Sequence, residues 1–254
     1  MSIIKAISSN SILPASSSTI DVYPVSRTNS LIGYWKFSDG GGSLLRDSSK
    51  YGHHLTTQIS GANTISETWE NPGYFTVRSG TRSIVQATGT PLDTQAKIII
   101  YSATIKQLVP FDDLDAGTST DYIHLWTAEN YTGFMLGGQL GAYYARVANF
   151  PTLYKGSDIT IGIGQTLTIC GAFVPGDRLL QSDSKNKTLQ TVAAPLISSL
   201  IAQDGKFGIQ SANGAIAIKN YQLWAFNAEP PQLDMTVQWM AASPGLIPPW
   251  WAGL

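Results

Sequence analysis

Charge is scarce in this chain: Asp, Glu, Lys and Arg together make up 13% of its 254 residues, about half the share of an ordinary soluble domain. A surface so poor in ions must stay wet mainly through hydroxyl and amide groups. Sixteen Lys and Arg nearly cancel seventeen Asp and Glu, for a formal charge of -1, and no basic run interleaves with aromatics. Counterion release, which drives the gripping of a polyphosphate, has little to act on, so nucleic acid is not an expected partner.

Cysteine occurs once, as Cys170, so no intrachain disulfide can form and stability has to come from a buried core. Long apolar runs are missing too. Nothing approaches the roughly 18 apolar residues of a membrane-spanning helix, and MSIIKAISSNSILPASSS contains no continuous apolar stretch before a small-residue cleavage site. The expectation is a chain made in the cytoplasm with neither signal peptide nor membrane span.

What is present favours strands. Short runs rich in β-branched and aromatic residues recur between Gly, Asn, Asp and Ser clusters, the pattern of an all-β domain. The clearest strands expected are 31–37, 74–78, 83–87, 97–106, 122–127, 133–136, 142–147, 166–174, 206–210 and 215–225. In Thr166 to Val174, Leu167, Ile169, Gly171 and Phe173 share one face while Thr166, Thr168 and Cys170 share the other, which reads as a half-buried sandwich strand. A change of character follows in NAEPPQLDMTVQWMAA, residues 227–242. Leu233, Val237 and Met240 fall at i, i+4 and i+7, Pro231 suits a first helical turn, and Pro244-Gly245 ends the element.

Residues 1–30 are rich in Ser and Thr, carry Pro14 and Pro24, and read as an extended arm. The division expected is therefore an arm over 1–30, a single sandwich over 31–242 and a Pro/Trp-rich tail over 243–254.

Two stretches carry a family signature. Leu31 to Leu55, LIGYWKFSDGGGSLLRDSSKYGHHL, strings together an aromatic strand, a Gly-rich turn, an Asp-Ser-Ser turn and a Gly-His-His step. It resembles the opening of laminin-G-like domains of the concanavalin A-like lectin/glucanase superfamily. Ala215 to Met240, AIAIKNYQLWAFNAEPPQLDMTVQWM, resembles their close, a long strand leading into a short helix. The resemblance implies a concanavalin A-like jelly-roll β-sandwich with a short C-terminal helix.

Hydrolases of that superfamily hold their nucleophile and acid on one strand as Glu-x-Asp-x-x-Glu, which projects alternate carboxylates into one cleft. No such run exists here: Glu67 and Glu70 have the wrong spacing, and Asp112, Asp113 and Asp115 lack a glutamate partner. The chain reads as non-enzymatic, an enzyme requiring a carboxylate pair assembled from distant strands. His53 and His54 are adjacent, so on an extended segment they point to opposite faces and cannot easily share a metal. His54 reads as a turn residue bonding loop backbone, and His124 as a sheet-face residue.

The resemblance also raises calcium, held at the rim of many such domains by oxygen ligands. Asp112, Asp113 and Asp115 in FDDLD are the candidates, with Asp39 and Asp47 behind them; the alternative is that these are solvated turn formers. Sugar binding needs exposed rings beside amides. Asn130, Tyr131, Tyr143, Tyr144 and Asn149 could supply them, unless the tyrosines pack across paired strands.

The tail LIPPWWAGL places two stiffening prolines before Trp250 and Trp251, a large apolar area that something must cover. Either it folds back on its own sandwich, the favoured reading for at least one tryptophan, or it docks on a neighbouring subunit. In the second case Trp250 and Trp251, with Ile3 and Ile4 of the arm, would bind partners. QWMAASPGLIPPWWAGL also resembles the close of laminin-G-like proteins of tailed bacteriophages, Ser243 standing where Asn is usual and Pro248-Pro249-Trp250 departing from Tyr-Pro-Gly-Trp.

That likeness implies a virion structural protein: a capsid decoration protein, or a tail or fibre component, in a homo-oligomer or symmetric array on the major capsid protein or tail proteins. The alternative is a carbohydrate-binding module for bacterial surface glycan, with calcium as its only candidate cofactor.

Overall fold

The computed structural model describes residues 30–38, 44–58, 66–70, 74–78, 83–87, 97–107, 120–127, 132–139, 142–149, 152–198, 207–211 and 216–251. In chain order the first strands are β1 (Leu31–Trp35), β2 (Leu44–Leu45), β3 (Leu55–Gln58), β4 (Ser66–Glu70), β5 (Tyr74–Arg78), β6 (Ser83–Ala87) and β7 (Ile98–Gln107). They are followed by β8 (Thr120–Thr127), β9 (Thr132–Gln139), β10 (Ala142–Asn149), β11 (Thr152–Lys155), β12 (Ile159–Thr160) and β13 (Thr166–Val174). The last are β14 (Arg178–Asp183), β15 (Gln190–Ala193), β16 (Phe207–Ser211) and β17 (Ile216–Phe226), before helix α1 (Leu233–Ala242) and a single 3-10 turn, Pro249–Trp251.

These strands form two antiparallel sheets. The first runs β15, β14, β13, β7, β17, β5, β4, with β1 also pairing β17; the second runs β11, β10, β9, β8, β16, β6, β3, β2, with β12 on β10. This is the all-β sandwich with a short C-terminal helix that the sequence leads one to expect. β17 is shared: Ala217 and Ile218 pair β5, while Tyr221 to Trp224 pair β1 along the same side. Between them Asn220 takes a φ of 53° inside a register shift, the local kink of a β-bulge.

Two apolar clusters hold the layers together. Between the sheets lie Trp35, Tyr101, Ile105, Leu167, Ile169, Phe173, Tyr221 and Leu223 of the first sheet with Tyr143, Ala145 and Val147 of the second. The opposite face of the first sheet is covered by α1, whose Leu233, Val237, Met240 and Ala241 pack with Leu31, Ile100, Cys170, Ala172, Leu180 and Trp224. β13 is therefore buried on both faces, and the half-buried reading of that strand is corrected. The Thr168/Cys170 face borders α1 and the turn after β14 instead of water, and Thr168 is satisfied there by Thr104, Oγ1 to Oγ1 at 3.0 Å.

Cys170 is wholly buried, and that burial drives its thiol well above the ordinary range. The thiolate is the reactive form, so the native protein should leave an aromatic disulfide reagent unreacted, with one equivalent consumed on unfolding in urea. Rapid labelling of the folded chain would contradict this packing.

The helix falls where its spacing places it, although Pro231 lies in the turn before it rather than in its first turn. Gln232, with a φ of 58°, stands at the N-cap without a side-chain cap bond. The C-terminus closes through Ser243 N–H to Trp239 O at 2.8 Å. The strand expected over 31–37 stops at Trp35 because Phe37 takes a φ of 56°, outside the extended region. The expected arm lies outside the described residues apart from Ser30, whose carbonyl accepts the Ala225 N–H at 2.8 Å. No helix among the described residues is long and apolar enough to cross a membrane.

Candidate functional site

The opening signature folds into a knot around one carboxylate. Asp47, 7% exposed, bridges to Trp35 beside β1. Its Oδ1 accepts Tyr34 N–H and Ser49 N–H, both at 2.7 Å. Its Oδ2 accepts Ser49 Oγ–H at 2.6 Å and His53 N–H at 2.7 Å. An ionised carboxylate offers about four acceptor positions, and here all are taken. Asp47 is thus withdrawn from the calcium candidates, its lone pairs being spent on the chain itself.

Both histidines serve the same knot. His54 Nδ1 accepts Asp47 N–H at 3.0 Å, which requires that nitrogen to be unprotonated. His53 Nδ1 meets Ile32 O at 2.6 Å, and a carbonyl there requires Nδ1 to carry the proton. Trp35 Nε1 donates to His53 O at 2.9 Å. The Asp-Ser-Ser and Gly-His-His steps therefore supply a fastening, in which Asp47, Ser49, His53 and His54 act through side-chain donors and acceptors.

The closing signature is tied to the opening one. Tyr34 donates its hydroxyl to Gly245 O at 3.0 Å. Gly245 has a φ of 77°, and a β-carbon there would lie 2.9 Å from the Tyr34 hydroxyl, so the position needs glycine on both counts. Trp251 turns inward and is fully buried, its ring centroid 4.9 Å from those of both Trp224 and Phe226. Trp250 is half-buried against Trp239 at 5.8 Å and donates Nε1–H to Thr236 Oγ1 at 2.8 Å. The tail folds back on its own sandwich through residue 251, and Trp251 is not a surface anchor for a partner. Ile3 and Ile4 lie outside the described residues.

Tyr143 and Tyr144 are likewise corrected as sugar-stacking residues. Tyr143 is fully buried between the sheets, and Tyr144 is 3% exposed with Lys155 Nζ 4.5 Å from its ring centre. Neither has a free face. Asn130, Tyr131, Asp112, Asp113, Asp115 and Asp39 lie outside the described residues, as do the side chains of Asn149 and His124. Among the described residues no group of three or more His, Cys, Asp or Glu converges as metal ligands would.

A residue that sequence reasoning passed over joins the two sheets at their edge. Gln181 of β14, 1% exposed, accepts Ala145 N–H of β10 on Oε1. Its Nε2 donates to Ser157 O at 2.8 Å and Gln190 Oε1 at 3.2 Å. Gly156 makes room, since a β-carbon there would collide with the Gln181 amide. Gln181→Leu should cost about 2–4 kcal/mol, because the buried Ala145 N–H loses its acceptor and Ser157 O its donor, while Gln190 Oε1 keeps Ser157 N–H; urea unfolding measures it, and a loss below about 1 kcal/mol would contradict the bridge.

Burial raises the phenols of Tyr101 and Tyr221, yet both rings pack in the inter-sheet core. Desolvation is the sole cause for Tyr221 and the largest for Tyr101, where the neighbouring Tyr221 adds to it and Arg146 opposes it. The most exposed aromatic among the described residues is elsewhere: Tyr51, 42% exposed, stacks on His53 at 5.5 Å and 9°, with Lys50 Nζ 4.9 Å from the Tyr51 ring centre. The Asp47 knot fixes His53 and so orients this ring pair at the rim.

No family model matches the chain, and no curated protein matches it. Solved structures do match in fold. The binding domain of botulinum neurotoxin serotype D superposes with a TM-score of 0.57 at 12% identity, over 83% of this chain and 51% of that one. The serotype G binding domain gives 0.54 at 12%, over 84% and 51%. The binding domain of Paraclostridial Mosquitocidal Protein 1 gives 0.52 at 11%, over 81% and 51%. The chain spans about half the length of the structures it matches, and at such identity the likeness establishes the β-sandwich fold.

Proposed function

We propose that this chain is a non-enzymatic structural component of a tailed-bacteriophage virion, a capsid decoration protein or a tail or fibre component built on a laminin-G-like sandwich. One observation carries the reading: several residues of the closing run that resembles phage laminin-G-like proteins hold defined places in the fold. Trp239 packs on Trp250, Met240 and Ala241 of α1 are buried against the first sheet, Ser243 caps the helix, and Gly245 receives Tyr34. A motif with so many members placed in the domain is a better marker of shared ancestry than a chance string of aromatics.

The test is cosedimentation of the purified chain with phage capsids and tails that lack it. Saturable binding to one of them is expected, and a version lacking residues 1–29 should bind more weakly if the arm anchors the domain. Deleting residues 246–254 is uninformative, since it removes core. Failure of the full chain to bind any virion part would sink the reading.

A second reading, glycan recognition, is favoured by the exposed Tyr51, stacked on the half-buried His53. The fold neighbours are described as binding domains, one in complex with SialylT. If this reading holds, a bacterial-glycan array gives a signal that Tyr51→Ala abolishes; a signal that survives the substitution would place recognition elsewhere.

A further inference from the structure

Helix α1 carries a second apolar stripe. Its Leu233, Val237 and Met240 pack on the first sheet, and the outward side of such a helix ordinarily collects charged and polar residues. Here Met235, Trp239 and Ala242 fall at i, i+4 and i+7 instead, with Met235 47% exposed, Ala242 exposed and Trp239 half-buried. The tail widens the stripe, since Trp250 lies against Trp239. Asp234 is the one charged residue of the helix. At the helix start it joins Asp177 and Glu229 around the guanidinium of Arg178, so three carboxylates share one cation and that corner is acidic.

The chain enters the domain at the same corner. Ser30 O accepts Ala225 N–H, next to Phe226, whose ring meets Trp251; Trp251 in turn donates to Pro231 O just ahead of α1. Residues 1–29 are thus attached where α1 begins. Their only charged side chains are Lys5, Asp21 and Arg27, and Ile20, Val22, Tyr23 and Val25 precede Ser30 by ten residues or fewer. Ten residues reach at most about 35 Å, against a length of about 15 Å for α1. Arg27, three residues from the entry point, carries the charge opposite to that of the acidic corner.

We propose that residues 20–29 bind the outer face of α1 in their own chain, with Ile20, Val22 and Val25 on the Met235, Trp239 and Trp250 stripe and Arg27 at the acidic corner. The place of entry, the reach and the charge all select this segment as the occupant, and an apolar stripe at the surface is a surface for something to cover. The inference is independent of the virion reading and of any glycan, because it concerns the purified chain alone.

The experiment puts a thiol on the stripe. Met235→Cys is labelled with an aromatic disulfide reagent in the full chain, and again with Ile20→Ser, Val22→Ser and Val25→Ser added. Cys170, wholly buried, is the folding control, since a folded chain consumes one equivalent and an unfolded chain two. The first protein should label slowly, at a rate independent of protein concentration. The second should label faster by about tenfold or more, each aliphatic side chain withdrawn from a buried position being worth at least that factor. Equal rates in the two proteins overturn the proposal. So does protection that grows with protein concentration, which assigns the stripe to a second copy. Should the substituted chain consume two equivalents, Val22→Ser alone decides by the same comparison.

Discussion

Replacing Trp251 by alanine should lower the free energy of unfolding by about 3–5 kcal/mol, the range for removing a large aromatic from a packed core. The ring lies against Trp224 and Phe226 and donates Nε1–H to Pro231 O at 3.4 Å, so its loss opens a void between β17 and the approach to α1. Trp250→Ala, which vacates a half-buried position, should cost only about 1–2 kcal/mol. Urea denaturation of the two variants gives the order. If Trp250→Ala proves the more damaging, the tail does not close over its own sandwich as described.

Asp47→Ala should be comparably severe, about 3–5 kcal/mol. Hydrogen bonds to an ionised acceptor contribute roughly 1.5–3 kcal/mol each, and removal of the carboxylate strands the amides of Tyr34 and His53. Ser49→Ala, which deletes one hydroxyl donor, should cost about 1 kcal/mol. Amide exchange separates the two: Tyr34 and His53 N–H should exchange faster in Asp47→Ala and unchanged in Ser49→Ala. A loss below about 1 kcal/mol for Asp47→Ala would mean that water replaces the carboxylate at little cost, and the knot would lose its structural importance.

Legibility from sequence followed locality. β5, β6 and β13 are located to the residue because their apolar patterns are bounded by turn formers, and α1 because Leu233, Val237 and Met240 keep helical spacing. β14, reading RLLQSD, was missed: with the inter-sheet core on one face and α1 on the other, all but its first residue are buried, so no alternation marks it. The same covering by a helix 60 residues later overturned the half-buried reading of β13. β2 and β12 have two residues each, too short for any period to register.

The site divides the same way. The Asp-Ser-Ser and Gly-His-His steps are visible as a motif, yet the saturation of Asp47 depends on β1 passing beside it. Gln181 carries no local mark at all, because its partners Ala145, Ser157 and Gln190 come from other segments. Tyr143 and Tyr144 look like a binding pair until the second sheet is folded against the first over Tyr143 and Lys155 is brought onto the Tyr144 ring.

The pairing of β1 with β17, Leu31 opposite Trp224, has a consequence for the order of events on the ribosome. The first strand waits for nearly the last before it has a neighbour, so the sandwich cannot close during most of synthesis. Contacts of such long sequence separation slow folding, and until β17 emerges the apolar face of β1 depends on chaperones or transient collapse for cover. The sandwich therefore closes in one late step, once β17 is available to β1.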